Sequence, residues 1–153
     1  MKRYYLFTGL LLAAVLSCSP IMLYPARAEA APPAVCSVCN MNIEESNKRF
    51  SVVDAKSNEK AAFDDIGCAL IWREELCASK LMSFESNAEV FDYNTVEAVA
   101  IENASFVVES GFKTPMGYGI IAFKDRQSAE RFVSETGRGR VVTYSKLPVP
   151  KVK

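Results

Sequence analysis

The stretch Ala61-Ala62-Phe63-Asp64-Asp65-Ile66-Gly67-Cys68 contains the change of pattern that decides the fold. Ala61 to Phe63 are small and apolar, which is typical of a short strand. Asp64-Asp65 can cap a helix and place negative charge at its positive end. From Ile66 to Cys77, apolar residues occur on more than one side of a helical wheel. This pattern predicts a strand followed by a well-buried helix.

The same arrangement returns later in the chain, where Phe123-Lys124-Asp125 precede a helix that we expect to run to Thr136. Gly137 and Gly139 are suited to end that helix. The run Ser105–Glu109 also echoes Phe50–Asp54. Further strands are predicted over these ranges: 88–93, 98–101, 119–123 and 140–144. The sequence therefore predicts an α+β fold, with two ββαβ-type units forming one compact domain.

Length and composition agree with one domain and exclude few functions. The 153 residues are half hydrophobic, and 18 basic residues balance 18 acidic ones. No basic patch indicates nucleic acid. The chain contains no histidine, so the commonest general acid–base residue is absent.

The N-terminal segment is typical of export rather than of the fold. Lys2-Arg3 precede an apolar stretch from Leu6 to Leu16, which is shorter than the roughly 20 residues of a membrane-spanning helix. Two processing sites compete: a lipobox-like sequence at 15–18 that would make Cys18 a lipid anchor, or cleavage after Ala28. We assign residues 1–18 to the signal and lipoprotein segment, 19–34 to an Ala/Pro-rich tether, and 35–147 to the folded domain.

Residues 36–41 read Cys-Ser-Val-Cys-Asn-Met, which places three sulfur donors in six residues. Thiolates and thioethers are soft ligands that select Cu(I). In an extended segment Cys39 and Met41 would point the same way and could share one ion, with Cys36 completing the site from a preceding turn. Alternatively, Cys36 and Cys39 form a disulfide or a redox dithiol, and Met41 fills the core.

The remaining sulfur residues are predicted to differ in role. Cys68 and Cys77 would lie about 13–14 Å apart along one helix, and we interpret both as buried apolar thiols. Met116 lies between Pro115 and Gly117, in a loop that would present its thioether as a further ligand. The alternative for Met116 is an ordinary surface turn.

Four features occur together in this order: an export signal, the C-x-x-C-x-M sequence, the Asp-Asp-x-Gly-Cys helix start at 64–68, and the Thr-Pro-Met-Gly loop at 114–117. In this the chain resembles the NosL family, the copper lipoproteins accessory to nitrous oxide reductase. The resemblance covers about residues 34–145. It implies Cu(I) as the bound metal, with ligands at Cys39 and Met41, Cys36 beside them, Met116 on the loop, and the lipid on Cys18. Some relatives carry His where this chain has Tyr118, so an imidazole ligand is not expected here.

The resemblance implies a Cu(I)-binding metallochaperone rather than an enzyme. Its expected partners are an exported cuproenzyme, nitrous oxide reductase, and the periplasmic side of a bacterial membrane reached through the lipid anchor; soluble export is the alternative. The competing function is a periplasmic thiol–disulfide oxidoreductase that uses Cys36 and Cys39. Such enzymes usually place C-x-x-C at a helix N-terminus, which the residues after Cys39 do not predict. A structural zinc site would require four ligands.

Overall fold

The computed structural model describes residues 35–57 and 60–151, along which strands and helices alternate. The elements are β1 (Val52–Asp54), β2 (Ala61–Phe63), α1 (Ile66–Glu74), α2 (Ala78–Asn87), β3 (Glu89–Phe91), β4 (Ala98–Ala100), β5 (Ser105–Val108), β6 (Ile121–Phe123), α3 (Arg126–Thr136) and β7 (Arg140–Thr143). The predicted signal segment, the lipid anchor at Cys18 and the tether at 19–34 lie outside the described residues. No helix in the described ranges is both long and apolar enough to cross a membrane.

Within this part of the chain the strands form two antiparallel sheets, in the orders β2-β1-β3-β4 and β6-β5-β7. The two sheets share the same connectivity. In the first sheet β1 lies between β2 and β3, and in the second sheet β5 lies between β6 and β7. Side chains from both sheets, such as Phe63 and Phe106, belong to one buried cluster. The predicted α+β fold with two ββαβ-type units is confirmed.

Both helix starts follow the predicted strand–aspartate–helix pattern. The Asp65 side chain caps α1 by accepting a hydrogen bond from the Gly67 backbone N–H, and Asp125 caps α3 through Ser128. Gly137 ends α3 in the left-handed conformation, with φ of 64°. These local signals predicted the structure because capping depends on residues close in sequence.

The single helix predicted over 66–77 is wrong. Helix α1 ends at Glu74, and Cys77 is the N-cap of a second helix, α2, that the sequence did not predict. The break lets α2 fold back over the sheet, where Phe84 packs edge-on against Trp72 at 5.3 Å and against Phe63 at 6.2 Å. The free energy gained by packing Phe84 against Trp72 and Phe63 outweighs the preference of the apolar pattern for one continuous helix.

Two six-residue loops have the same backbone. We call residues 36–41 the sulfur loop and residues 92–97 the acidic loop. Cys36 N–H donates to the Met41 carbonyl at 2.9 Å and accepts the Asn40 N–H at its own carbonyl at 3.1 Å. Asp92 makes the equivalent bonds with Glu97 and Val96, both at 2.8 Å. Asn40 and Val96 have almost identical positive φ angles, 59° and 60°.

Each loop also docks on the edge of a sheet in the same way. The Ser37 N–H donates to the Ala62 carbonyl on β2, and the Tyr93 N–H donates to the Ala122 carbonyl on β6, both at 2.8 Å. The repeat therefore includes the loops as well as the strands and helices. The backbone bond from Ser37 places the sulfur loop beside the start of α1.

Candidate metal site

Four potential ligand atoms, from Cys36, Cys39, Asp64 and Cys68, lie within 4.8 Å of one another. Two come from the sulfur loop, Asp64 follows β2, and Cys68 lies in the first turn of α1. The loop is held to β2 by Ser37, and the start of α1 is fixed by its cap at Asp65. The cluster is therefore positioned by the backbone bond of the sulfur loop and by the side-chain cap of α1.

The Asp64 carboxylate faces the cluster from a buried position. The Cys39 Sγ–H donates to Asp64 Oδ1 at 3.3 Å. Asp64 Oδ2 is buried and accepts no hydrogen bond from the described residues. An unpaired buried carboxylate oxygen is costly unless a cation or another donor satisfies it.

The sulfur of Cys36 is the most acidic of the cluster. Hydrogen bonding from the Cys68 thiol, together with the backbone N–H groups of Cys39, Asp64 and Val38, lowers the pKa of Cys36 to about 6 against the opposing effect of burial. A thiolate is therefore available at neutral pH without a metal. The thiolate is the form of cysteine that binds metals.

The other two thiols remain protonated at neutral pH. Burial, followed by interactions with Cys36 and Asp64, raises the pKa of Cys39 to about 11. The hydrogen bond to Cys36 and burial raise the pKa of Cys68. Binding of an ion at these two sulfurs must therefore displace protons.

An open pocket of about 510 Å³ leads to the cluster, with Met41 and Pro115 on its wall and Asp64 among its lining residues. Met41 is 41 % exposed. Met116, next to Pro115, is partly buried and packs against the same hydrophobic cluster as Cys39. Met41 thus lies at the open mouth of the site, whereas Cys36 and Cys68 are buried. Met116 follows Pro115, which lines the same pocket.

The Thr114–Gly119 loop is attached to the start of α1 by the cap residue itself. Asp65 Oδ2 accepts hydrogen bonds from Thr114 Oγ1 and from the Met116 backbone N–H, the latter at 3.0 Å. Thr114 Oγ1 in turn accepts the Gly119 N–H at 3.2 Å. Burial raises the pKa of Asp65, although these donors oppose the shift. One carboxylate therefore positions both Cys68 and the loop that carries Met116.

The ring of Tyr118 lies on Gly67. A Cβ atom at Gly67 would overlap that ring. Burial, and then electrostatic interactions with Cys68, Asp65, Cys39 and Asp64, raise the pKa of Tyr118. Its phenol stays neutral at physiological pH.

Three expectations from the sequence need correction. The segment with Cys39 and Met41 is a turn with a left-handed Asn40 and not an extended strand. Side chains at these spacings can still meet, because Thr95 Oγ1 and Glu97 Oε2, at the equivalent positions of the acidic loop, are 3.2 Å apart. Cys77, predicted to be buried, is exposed. Cys68 is buried as predicted, but it belongs to the sulfur cluster rather than to a purely apolar core.

Sequence reasoning missed Asp64 and Cys68 as members of the site. The Asp-Asp-x-Gly-Cys sequence was the available signal, since it places a carboxylate and a thiol on either side of a helix cap. The predicted residues Cys36 and Cys39 are brought together with them. Met41 lines the pocket, and Met116 follows Pro115 on its wall.

The arrangement disfavours a dithiol oxidoreductase. Such an enzyme exposes its low-pKa cysteine for attack, usually at a helix N-terminus. Here the low-pKa thiol, Cys36, is only 1 % exposed, and the more accessible Cys39 has the raised pKa. Both lie in a hairpin loop. The four cysteines of the described part are free.

Comparison with known proteins identifies one family. The family model described as NosL matches residues 27–151. Among solved structures, the chain is similar to the crystal structure of the copper chaperone NosL from Shewanella denitrificans, with 19 % sequence identity, coverage of 78 % of this chain and 96 % of that chain, and a TM-score of 0.49. No protein with a curated description matches.

Proposed function

Because the chain belongs to the NosL family, we propose that it is a copper carrier that binds Cu(I) at the sulfur cluster and passes it to an exported cuproenzyme. The observation that carries this proposal is the grouping of three cysteine sulfurs beside Asp64, whose buried Oδ2 atom accepts no hydrogen bond from residues 35–57 and 60–151. Three soft donors and no imidazole suit a monovalent soft cation. The carboxylate supplies negative charge close to the ion.

We assign the ligands Cys36, Cys39, Met41 and Met116 to the uptake and release of copper. Thiolates provide most of the affinity, whereas a neutral thioether binds less strongly and leaves first. Met41 is the most exposed of the four. A recipient can therefore approach the ion from the side of the thioethers and exchange ligands stepwise.

The recipient and the location follow from the family resemblance. Nitrous oxide reductase is the proposed recipient, and the periplasmic side of a bacterial membrane is the proposed location. Lipidation at Cys18 would keep the carrier close to the membrane and to exported enzymes. The function is transfer of an ion by ligand exchange and requires no catalytic turnover.

Anaerobic titration of the reduced protein with Cu(I) and with Cu(II) tests the proposal. We expect tight binding of one Cu(I), and weaker binding of Cu(II), which prefers nitrogen and oxygen ligands. Cys39→Ser should weaken Cu(I) binding by more than about tenfold while the midpoint of thermal unfolding changes little. Cys77→Ser, at an exposed position outside the cluster, is the matched control.

Two results would contradict the carrier function. One is Cu(II) binding as tight as Cu(I) binding with the thiols still reduced. The other is unchanged Cu(I) affinity in Cys39→Ser. Rapid turnover of a disulfide substrate that depends on both Cys36 and Cys39 would instead support the oxidoreductase.

A further inference from the structure

Cys68 belongs to the sulfur cluster, yet the ligand set proposed above does not use it. It is 1 % exposed and lies in the first turn of α1, where its backbone N–H bonds to the Asp65 carbonyl at 3.0 Å. Its sulfur is within 4.8 Å of those of Cys36 and Cys39. Three sulfurs around one ion in a trigonal plane lie about 4.0 Å apart when each metal–sulfur bond is about 2.3 Å. Because the pairwise distances are at most 4.8 Å, an inward movement of at most about 0.5 Å by each sulfur places all three on one ion.

Burial alone does not explain this environment. A cysteine that only fills a core needs apolar neighbours, because its S–H is a weak donor. Cys68 packs in the hydrophobic core but also lies within 4.8 Å of two other thiols and of a carboxylate, whose Oδ2 atom is buried and without a hydrogen-bond partner among the described residues. That oxygen is an independent indication of a cation at the inner end of the pocket.

We infer that Cys68 is a third thiolate ligand, which together with Cys36 and Cys39 forms an inner copper position distinct from the position at the mouth. This inference rests on the proposed function. Met41 and Met116 serve the mouth, and Cys39 belongs to both positions because it is partly exposed and touches the buried pair. The ion changes neighbours without a change of oxidation state. Each cysteine sulfur that is still protonated releases its proton to solvent when it binds the ion.

The two positions have different tasks. An ion between Cys36 and Cys68 is surrounded by buried side chains, so competing ligands cannot reach it. An ion shared by Cys39 and the thioethers is accessible from the pocket. A short movement of the ion around Cys39 therefore takes it from the inner position, where it is stored, to the mouth, where it is transferred.

The decisive measurement is the number of sulfur atoms around bound Cu(I), determined by X-ray absorption in a Met41→Leu, Met116→Leu double variant. In that background every sulfur neighbour is a thiolate, and leucine nearly preserves the volume of methionine. We expect three sulfur neighbours. Two neighbours would overturn the assignment of Cys68 while leaving Cu(I) binding, and hence the proposed carrier, intact.

A second measurement compares Cys68→Ala with Cys77→Ala in the otherwise unchanged full-length protein. Cys68→Ala should weaken Cu(I) binding at least about tenfold, whereas the exposed Cys77 control should leave it unchanged. Equal affinity in a folded Cys68→Ala protein, or a loss of affinity for Zn(II) but not for Cu(I), would contradict the inference. If Cys68→Ala does not fold, the sulfur count in the double variant still decides. Absence of Cu(I) binding by the unmodified protein would instead refute the carrier function itself.

Discussion

At the start of α1, the identity of residue 67 is set by the aromatic ring that lies on it. Gly67 is buried, and a Cβ atom there would overlap Tyr118. The equivalent residue in α3 is Gln127, which is exposed. Glycine is therefore required by close packing in one unit, whereas the other unit accepts a long polar side chain at the same step of the repeat.

Gly67→Ala should force the Tyr118 ring and its loop away from α1. We expect a loss of about 1–3 kcal/mol in the free energy of unfolding, the usual range for an overpacked site. Denaturant unfolding measures this, and Cu(I) titration should show weaker binding because the Met116 loop moves as well. Gln127→Ala is the control and should change stability by less than about 0.5 kcal/mol. A Gly67→Ala protein as stable as the unmodified one would contradict the prediction.

The contrast between Cys68 and Ser128 shows how one side chain changes the use of a helix cap. Ser128 donates to Asp125 through both its backbone N–H and its hydroxyl, at 2.7 and 3.0 Å, so that cap is satisfied locally. At the matching position of α1, Asp65 Oδ2 takes its donors from Thr114 and Met116. Where α3 has Ser128, α1 has Cys68, and the Asp65 carboxylate that caps α1 accepts hydrogen bonds from a loop distant in sequence.

At the scale of elements, the Thr114–Gly119 loop depends on the Asp65 carboxylate for its position. Thr114→Val preserves the shape of the side chain but removes the donor to Asp65 and the acceptor of the Gly119 N–H. Asp65 Oδ2 keeps the hydrogen bond from the Met116 N–H, but the buried Gly119 N–H loses its acceptor, which costs about 1–3 kcal/mol. Denaturant unfolding should show this loss, whereas Thr143→Val, at an exposed position on β7, should have little effect.

Two variants of this loop, at Met116 and at Thr114, test whether it takes part in metal binding. Met116→Leu should weaken Cu(I) binding by about ten- to thirtyfold, or 1–2 kcal/mol, and Thr114→Val should change affinity in the same direction. If Thr114→Val lowers stability while both variants bind Cu(I) normally, the loop is a structural support and Met116 is not a ligand.

Elements were predictable from sequence where neighbouring residues determine them. Asp65, Asp125 and Gly137 mark helix ends through local hydrogen bonds and backbone conformation. The break before Cys77 was not predictable, because it depends on Phe84 reaching Trp72 from another part of the chain. The sequence echo between 50–54 and 105–109 is also displaced by two residues from the structural repeat, in which Val52 and Ser105 pair with Phe63 and Phe123.

The site was predictable in part for the same reason. Cys36 and Cys39 are neighbours in sequence, and their spacing alone indicated a sulfur site. Asp64 and Cys68 join them through a backbone bond from Ser37 to Ala62, which any residue other than proline could make at position 37. The Asp-Asp-x-Gly-Cys sequence places these two residues together at a helix start, but it does not show that the sulfur loop lies against them, so their membership required the structure.

At the scale of the whole molecule, Asp92 connects the two sheets. It is buried beside β3, and its carboxylate accepts the Lys124 N–H from the end of β6 at 2.8 Å, as well as the N–H groups of Asn94 and Thr95. Burial alone would raise the pKa of Asp92, but these donors outweigh burial and lower it. The ionised carboxylate is therefore part of the native structure.

Asp92→Asn should lower the free energy of unfolding at pH 7 by about 1–3 kcal/mol, because one acceptor becomes a donor. Since the folded pKa is lowered, the stabilisation is present above the unfolded value of about 3.9 and is lost as pH falls through the folded pKa. The two proteins should thus differ less in stability at pH 3 than at pH 7, as measured by denaturant unfolding. Glu135→Gln, exposed on α3, is the control. A difference that does not depend on pH would show that the charge of Asp92 has no role.

The equivalence of the two loops has a consequence for charge. In the acidic loop, Glu97 forms an ion pair with Lys124 at 3.3 Å. The negative charge of this loop is therefore paired with a lysine from the same half of the molecule. The residue at the Lys124 position of the other half is Asp64, whose carboxyl group lies within 4.8 Å of the Cys36 sulfur. One half therefore pairs the charges of its loop within the chain, whereas under the proposed function the other half receives its positive charge from copper that the cell supplies.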